Sequence, residues 1–116
     1  MGFKIIGTGS CLPEKIVTND ELSKILDTSD EWISKRTGIK SRRVSGDTPI
    51  FEIAAEACKR ALESAGVKGS DIDLIIFSSS GSSYVTPPTS CLIKEEIGAV
   101  CSQMFDINMG CSGFIY

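Results

Sequence analysis

The chain has 116 residues, with 12 basic and 15 acidic side chains, a net charge of −3, five cysteines and no histidine. That length fits one small domain, able to bury roughly two-thirds of the surface its unfolded chain would expose. Without histidine, these residues alone cannot form a Cys–His or Ser–His–Asp pair or an imidazole zinc site, and the acidic balance speaks against a general nucleic-acid binder.

An apolar fraction of 41% with 23% charged residues is the composition of a globular chain. No apolar run approaches the length of a membrane span. The start Met1-Gly2-Phe3-Lys4 has no charged-then-apolar leader, so no signal peptide is expected. The cysteines, at 11, 58, 91, 101 and 111, are odd in number and nowhere spaced as CxxC. This is the usage of free thiols in a reducing cytoplasm.

In chain order, Phe3 to Gly9 (FKIIGTG) reads as a strand running into a Gly-rich turn. Thr18-Asn19-Asp20-Glu21 is a capping box that opens a short helix through Leu22, Ile25 and Leu26. Thr28-Ser29-Asp30-Glu31 opens a second helix, which carries Trp32 and Arg36 and stops at Gly38. Residues 40 to 47 are polar and read as a loop. Thr48-Pro49 starts a long helix to Ala65, ended by Gly66, with Ile50, Ala54, Ala57, Ala61 and Ala65 on one stripe widened by Cys58 and Leu62. So small a face predicts close packing against another element.

Leu74 to Phe77 is an unbroken apolar run, the pattern of a strand buried on both faces. A small-residue loop, 78 to 83, follows. Thr86-Pro87-Pro88 starts a helix that ends near Gly98, Met104 to Ile107 is a further strand, and a turn through Gly110 leads into a helix at Cys111. The alternation is α/β, with a mixed, largely parallel sheet and packed helices. The last helix has only six residues, and Phe114, Ile115 and Tyr116 are large apolar residues for a terminus. The expectation is therefore the N-terminal piece of a longer protein, cut just after Cys111.

Two constellations could carry chemistry. Cys111 follows a strand and a glycine and precedes Ser112-Gly113, the setting of a nucleophile at a strand-to-helix turn, where unpaired N–H groups favour a thiolate and can hold an oxyanion. The bland alternative is a small buried hydrophobe, the fate predicted for Cys58 and Cys91. Thr28, Trp32 and Arg36 stand at i, i+4 and i+8, where an indole beside a guanidinium could stack a base and pair with phosphate. Lys35, Arg36, Lys40, Arg42 and Arg43 put five of 12 basic residues within nine positions. The alternative here is a half-buried Trp beside a solvated basic loop. Gly7-Thr8-Gly9 lacks the third glycine and the helix of a dinucleotide fingerprint. Asp71 and Asp73 read as bounding a turn rather than as a metal pair, and no metal site is expected.

Together these motifs are more specific than separately. GTGSCLP (Gly7 to Pro13), Thr18-Asn19, DTSDEWISKRTGIKSRR (Asp27 to Arg43) and FDINMGCSGF (Phe105 to Phe114) closely resemble the 3-oxoacyl-[acyl-carrier-protein] synthase III family, in register from Met1 to Tyr116. The resemblance implies the N-terminal part of a thiolase-like fold and a homodimeric acyltransferase that initiates fatty-acid synthesis. It would make Cys111 the residue acylated by an acyl-CoA, usually acetyl-CoA, before condensation with malonyl-acyl carrier protein and loss of CO₂. It would place Thr28, Trp32, Arg36 and Thr37 at the CoA nucleotide, with acyl-CoA a substrate rather than a cofactor and no nucleic-acid or membrane partner. The family's catalytic His and Asn lie beyond this sequence, so the 116 residues alone are expected to be inactive in condensation.

Two departures bear on the acyl group. The family's small residues before the nucleophile are replaced by Asn108-Met109-Gly110, and the bulky residue often found before Pro87 is Thr86, a candidate acyl-pocket and dimer-contact position. Three other readings stay open: a non-catalytic CoA-binding or dimerisation fragment, a related thiolase-fold enzyme with another acyl donor, and a thiol-redox sensor resting on the cysteine count alone.

Overall fold

A computed structural model describes residues 2–81, 84–100 and 102–116. The chain forms two compact units, Leu12–Thr48 and a second made of residues 1–11 with Pro49–Tyr116.

In the Leu12–Thr48 unit, β1 (Lys15–Thr18) and β2 (Ser41–Val44) pair antiparallel, with Lys15 opposite Val44 and Thr18 opposite Ser41. The sequence places a loop over 40 to 47. The ladder forms there because Val17 and Arg42, which face one another, turn to the interior, and an inward arginine is invisible to hydrophobic alternation. Thr18 ends β1 and caps α1 (Asn19–Leu22): its hydroxyl accepts from the Glu21 N–H, and the Glu21 carboxylate accepts from the Thr18 N–H at 2.7 Å. The helix expected to run through Leu26 is thus one turn long, followed by turns. In α2 (Asp30–Thr37) the N-cap is Ser29, whose Oγ accepts from the Trp32 N–H at 3.1 Å, and Gly38 ends it at φ 72°. Thr28 is therefore outside the helix rather than on its face.

In the other unit, α3 (Ile50–Ala65) ends at Gly66 as read, and its alanine stripe meets the segment Phe3–Gly9. That segment is extended but is not a strand. Among the described residues it has no ladder partner, and its Gly7 and Gly9 lie against α3. A Cβ on Gly7 would sit 2.7 Å from Ala65 Cβ, and one on Gly9 would overlap the Ala57 carbonyl and the Ala61 N–H. The glycines of the GTG motif are thus packing residues. Asp71, as read, bounds a turn, its carboxylate accepting from the Lys68 N–H at 2.9 Å.

β3 (Leu74–Ser78) and β4 (Gln103–Ile107) pair in parallel, Leu74 with Gln103 and Ser78 with Ile107. The described strands thus form two separate two-stranded sheets, one antiparallel and one parallel, where the sequence suggests a single mixed, largely parallel sheet. β3 is not buried on both faces: Ile75 is buried, while Leu74 and Ile76 are 46% and 49% exposed. α4 (Thr89–Glu96) packs on this sheet and on α3, and the core is Ala55, Ile75, Ile93 and Ala99. The Asp106 carboxylate on β4 fixes the start of α4, accepting from the Thr89 N–H at 2.7 Å and the Ser90 N–H at 2.9 Å. Burial pushes this carboxyl up, but the Ser90 and Thr89 hydrogen bonds outweigh it and hold it below its ordinary range. No helix among the described residues is long and apolar enough to cross a membrane.

Gly9→Ala should destabilise the protein by about 1–3 kcal/mol, the cost of forcing a methyl into a packed contact, while Gly2→Ala, with open space around it, should not. Urea midpoints measure both; an unshifted midpoint for Gly9→Ala would contradict the packing role.

Candidate active site and nucleotide face

β4 delivers the chain to Cys111. After Ile107 the backbone turns through Asn108 and Met109 into a single 3-10 turn, Gly110–Ser112, where the sequence suggests an α-helix. Residues 109 to 116 continue as short-range turns, with the Ser112 N–H donating to Met109 O at 3.2 Å and the Ile115 N–H to Ser112 O at 3.0 Å. Cys111 is exposed and, among the described residues, a free thiol rather than a buried one. Cys11, Cys58 and Cys91 are also free thiols but only partly exposed, and burial pushes the Cys58 thiol up. Cys101 is outside the described residues.

Both flanking glycines are required by this turn. Gly110 has φ 53°, the left-handed region. Gly113 is buried against the end of β3, where a Cβ would overlap Ser78 Oγ. This packing holds the Cys111 turn against the end of β3. Thr86, two residues before Pro88, the N-cap of α4, is exposed and joined to Pro87 by a cis peptide bond. Of the loop before it, Ser82 and Ser83 fall outside the described residues.

The second constellation lies on α2. Trp32 is 55% exposed, and the Arg36 guanidinium stands 4.8 Å from its ring centroid. A cation–π contact at such an exposed position is worth about 0.5–1 kcal/mol. Trp32 and Ser29 line two concavities. One, of about 600 Å³, is walled mainly by apolar groups, with Leu22, Leu26, Asp27, Thr28 and Ile33. The other, of about 520 Å³, is charged, with Glu31, Lys35 and Arg36. Thr28 Oγ1 is buried with no hydrogen-bond partner among the described residues. Thr37 lines neither concavity. Its hydroxyl donates to Ile33 O at 2.7 Å and accepts from the Ile39 N–H at 3.1 Å, closing the end of α2.

The basic cluster is largely consumed by the fold. Lys40 pairs with Asp30 at 2.9 Å. Arg42 donates to Asn19 Oδ1 at 2.7 Å and to Val17 O, and Arg43 to Pro13 O and Glu14 O. Sequence spacing could not separate these structural cations from free ones. Sequence reading also missed Asn19, which is buried and joins α1 to α2 and to the start of β2: its amide donates to Asp30 Oδ1 at 2.8 Å and to Ile39 O at 2.7 Å. Hydrogen bonds from Lys40, Asn19 and Ser34 hold the Asp30 carboxyl at about 2 rather than 3.8.

These elements define an α/β protein of the thiolase-like class with a cysteine turn at the end of a parallel strand. No family model matches the chain. It is 50% identical over 113 residues to the β-ketoacyl-[acyl-carrier-protein] synthase III of Clostridium acetobutylicum, covering 97% of this chain and 35% of that protein. Its structure superimposes on the 3-oxoacyl-[acyl-carrier-protein] synthase III of Aquifex aeolicus with a TM-score of 0.95 at 46% identity, over 99% of this chain and 37% of the other. The priming β-ketosynthase of the R1128 polyketide pathway matches with a TM-score of 0.91 at 40% identity, over 96% of this chain and 34% of the other. The chain is similar along nearly its whole length to synthase III proteins and spans about a third of the length of the relatives it matches.

Two outcomes are expected. Because the native Asp30 carboxyl is depressed, its contribution to stability is present above its ordinary 3.8 and is lost as pH falls toward about 2. Asp30→Asn should flatten that acid-limb loss in urea titrations at successive pH values; an equally steep loss in the variant would refute it. Gly113→Ala should displace the Cys111 turn and slow alkylation or acylation of Cys111, and Ser78→Gly in the same protein should restore the rate by removing the overlapping hydroxyl. A double variant as slow as Gly113→Ala would show that Ser78 is not the constraint.

Proposed function

We propose that this chain carries the nucleophile and one face of the CoA site of a synthase III acyltransferase that initiates fatty-acid synthesis. The observation that carries this reading is the Cys111 turn: an exposed thiol after a parallel strand, held between Gly110 at positive φ and the buried Gly113. The Cys111 thiolate attacks the thioester carbonyl of an acyl-CoA. The bond from that carbonyl to the CoA sulfur breaks, CoA leaves as its thiolate, and the acyl group rests on Sγ. Malonyl-acyl carrier protein then loses CO₂, and the carbanion so formed attacks the acyl carbonyl, freeing Cys111 and yielding a 3-oxoacyl-carrier protein. The His and Asn that assist this step in the family are absent from these 116 residues.

The two concavities beside Trp32 divide the labour of holding a nucleotide. A base stacks on the indole on the apolar side, where the unpartnered Thr28 hydroxyl supplies a hydrogen bond. Phosphates meet Arg36 on the charged side. Thr37 serves this face indirectly, by closing the end of α2. The exposed Thr86, small where the family resemblance implies a bulky residue, and the Asn108-Met109-Gly110 approach to Cys111 favour starter groups longer or more branched than acetyl, with Thr86 reaching the acyl pocket of a second copy in a cytoplasmic homodimer. A non-catalytic CoA-binding role for the piece alone has one specific support: the Trp32 face is built wholly within the Leu12–Thr48 unit.

With the full-length protein and labelled acyl-CoA, a thioester should form on Cys111 and vanish in Cys111→Ser. Trp32→Ala should raise the KM for acyl-CoA about tenfold or more, the loss of one base stack. Rates with acetyl-, isobutyryl- and hexanoyl-CoA read the starter preference, and the 116 residues alone should make no acetoacetyl-carrier protein. Label that persists in Cys111→Ser, or condensation by the isolated 116 residues, would overturn the reading.

A further inference from the structure

We infer that Lys35 is a second phosphate-recognition residue of the nucleotide face, beside Arg36. The assignment rests on the reading above that this face takes the nucleotide of CoA, and it extends that reading to a residue the sequence analysis counted only as part of a basic run. Three observations converge on it. Lys35 lines the charged concavity with Trp32 and Arg36. It is exposed and in no ion pair or hydrogen bond among the described residues, and Arg36 is engaged only with the Trp32 ring. The other three cations of the cluster are spent inside the fold, Lys40 on Asp30, Arg42 on Asn19 and Val17 O, and Arg43 on Pro13 O and Glu14 O.

A CoA nucleotide carries a diphosphate and a 3′-phosphate, more negative charge than one guanidinium can balance. Lys35 and Arg36 both stand in the last turn of α2 and both line the charged concavity, so an anion held there lies within reach of both charges. Lysine serves a phosphate as a mobile point charge, whereas arginine offers a fixed fork, and the two can hold different oxygens. Glu31 lines the same concavity, one turn before Lys35, without pairing to it among the described residues, and it opposes an anion there. Its removal should therefore act in the opposite sense to removal of Lys35.

The test is calorimetric titration of the full-length protein with CoA and with 3′-dephospho-CoA. Lys35→Gln should weaken CoA binding about two- to fivefold, the scale of an exposed charge pair, and the deficit should shrink as salt is raised. Lys35→Arg should bind like the parent, and Glu31→Gln should bind CoA more tightly than the parent. A Lys35→Gln deficit confined to CoA identifies the 3′-phosphate as the partner, and an equal deficit with both ligands identifies the diphosphate. If Trp32→Ala weakens binding while Lys35→Gln matches the parent, the Lys35 assignment falls and the nucleotide face stands. If the parent binds no CoA, the nucleotide face falls and Lys35 with it.

Discussion

The Leu12–Thr48 unit depends on one buried side-chain amide. Asn19 stands where β1 passes into α1, and its polar atoms are engaged by three other parts of the unit: Asp30 at the start of α2, Ile39 O after its end, and Arg42 on β2. A buried amide without partners is costly, so each of these elements is held where it satisfies Asn19. Asp30 in turn gathers Lys40 and Ser34. The result is a short helix fixed at both ends by polar contacts, with little apolar burial beneath it. That is what allows Trp32 to stay half in water with concavities on two sides.

The other unit is held by backbone proximity. Gly7 and Gly9 let an extended segment lie on the alanines of α3, and Gly113 lets the Cys111 turn lie on the end of β3. Asp106 complements these contacts. It caps α4 from the same strand that leads to Cys111, so the start of α4 and the Cys111 turn are referred to one rigid element. A nucleophile gains from this arrangement because its position is set by packed strands, while its thiol remains open to a substrate.

Family resemblance and local geometry bear on different questions. Half the aligned residues are identical to a curated synthase III, yet the matched portion is about a third of that protein. What the chain itself displays is a thiol on a fixed turn and an aromatic–cationic face, each complete within its own unit. The acyl transfer proposed here needs both, together with groups that this sequence does not contain. With Lys40, Arg42 and Arg43 engaged within the fold, Lys35 and Arg36 of α2 are the cations of the cluster that carry no hydrogen bond or ion pair among the described residues.

Much was legible before any coordinates. The caps at Thr18, Gly38 and Gly66 and the strand before Cys111 follow from local rules, because capping and turn chemistry depend on residues only a few positions apart. The motifs around Trp32 and Cys111 were enough to indicate the family. Other features depended on neighbours distant in sequence. Phe3–Gly9 has the composition of a strand but no ladder partner among the described residues. Ser41–Val44 looks like loop but pairs with β1, because Arg42 finds Asn19. Leu74–Phe77 looks buried on both faces, yet only one face is covered. Gly113 follows Cys111 in the motif with no sign of its partner, yet it packs against Ser78. The sequence by itself determined the helix caps, the strand before Cys111, the nucleophile candidate and the family resemblance. Only the tertiary structure decided which cations were already spent, which glycines were packed and which faces stayed open, because each is settled by a partner many residues away.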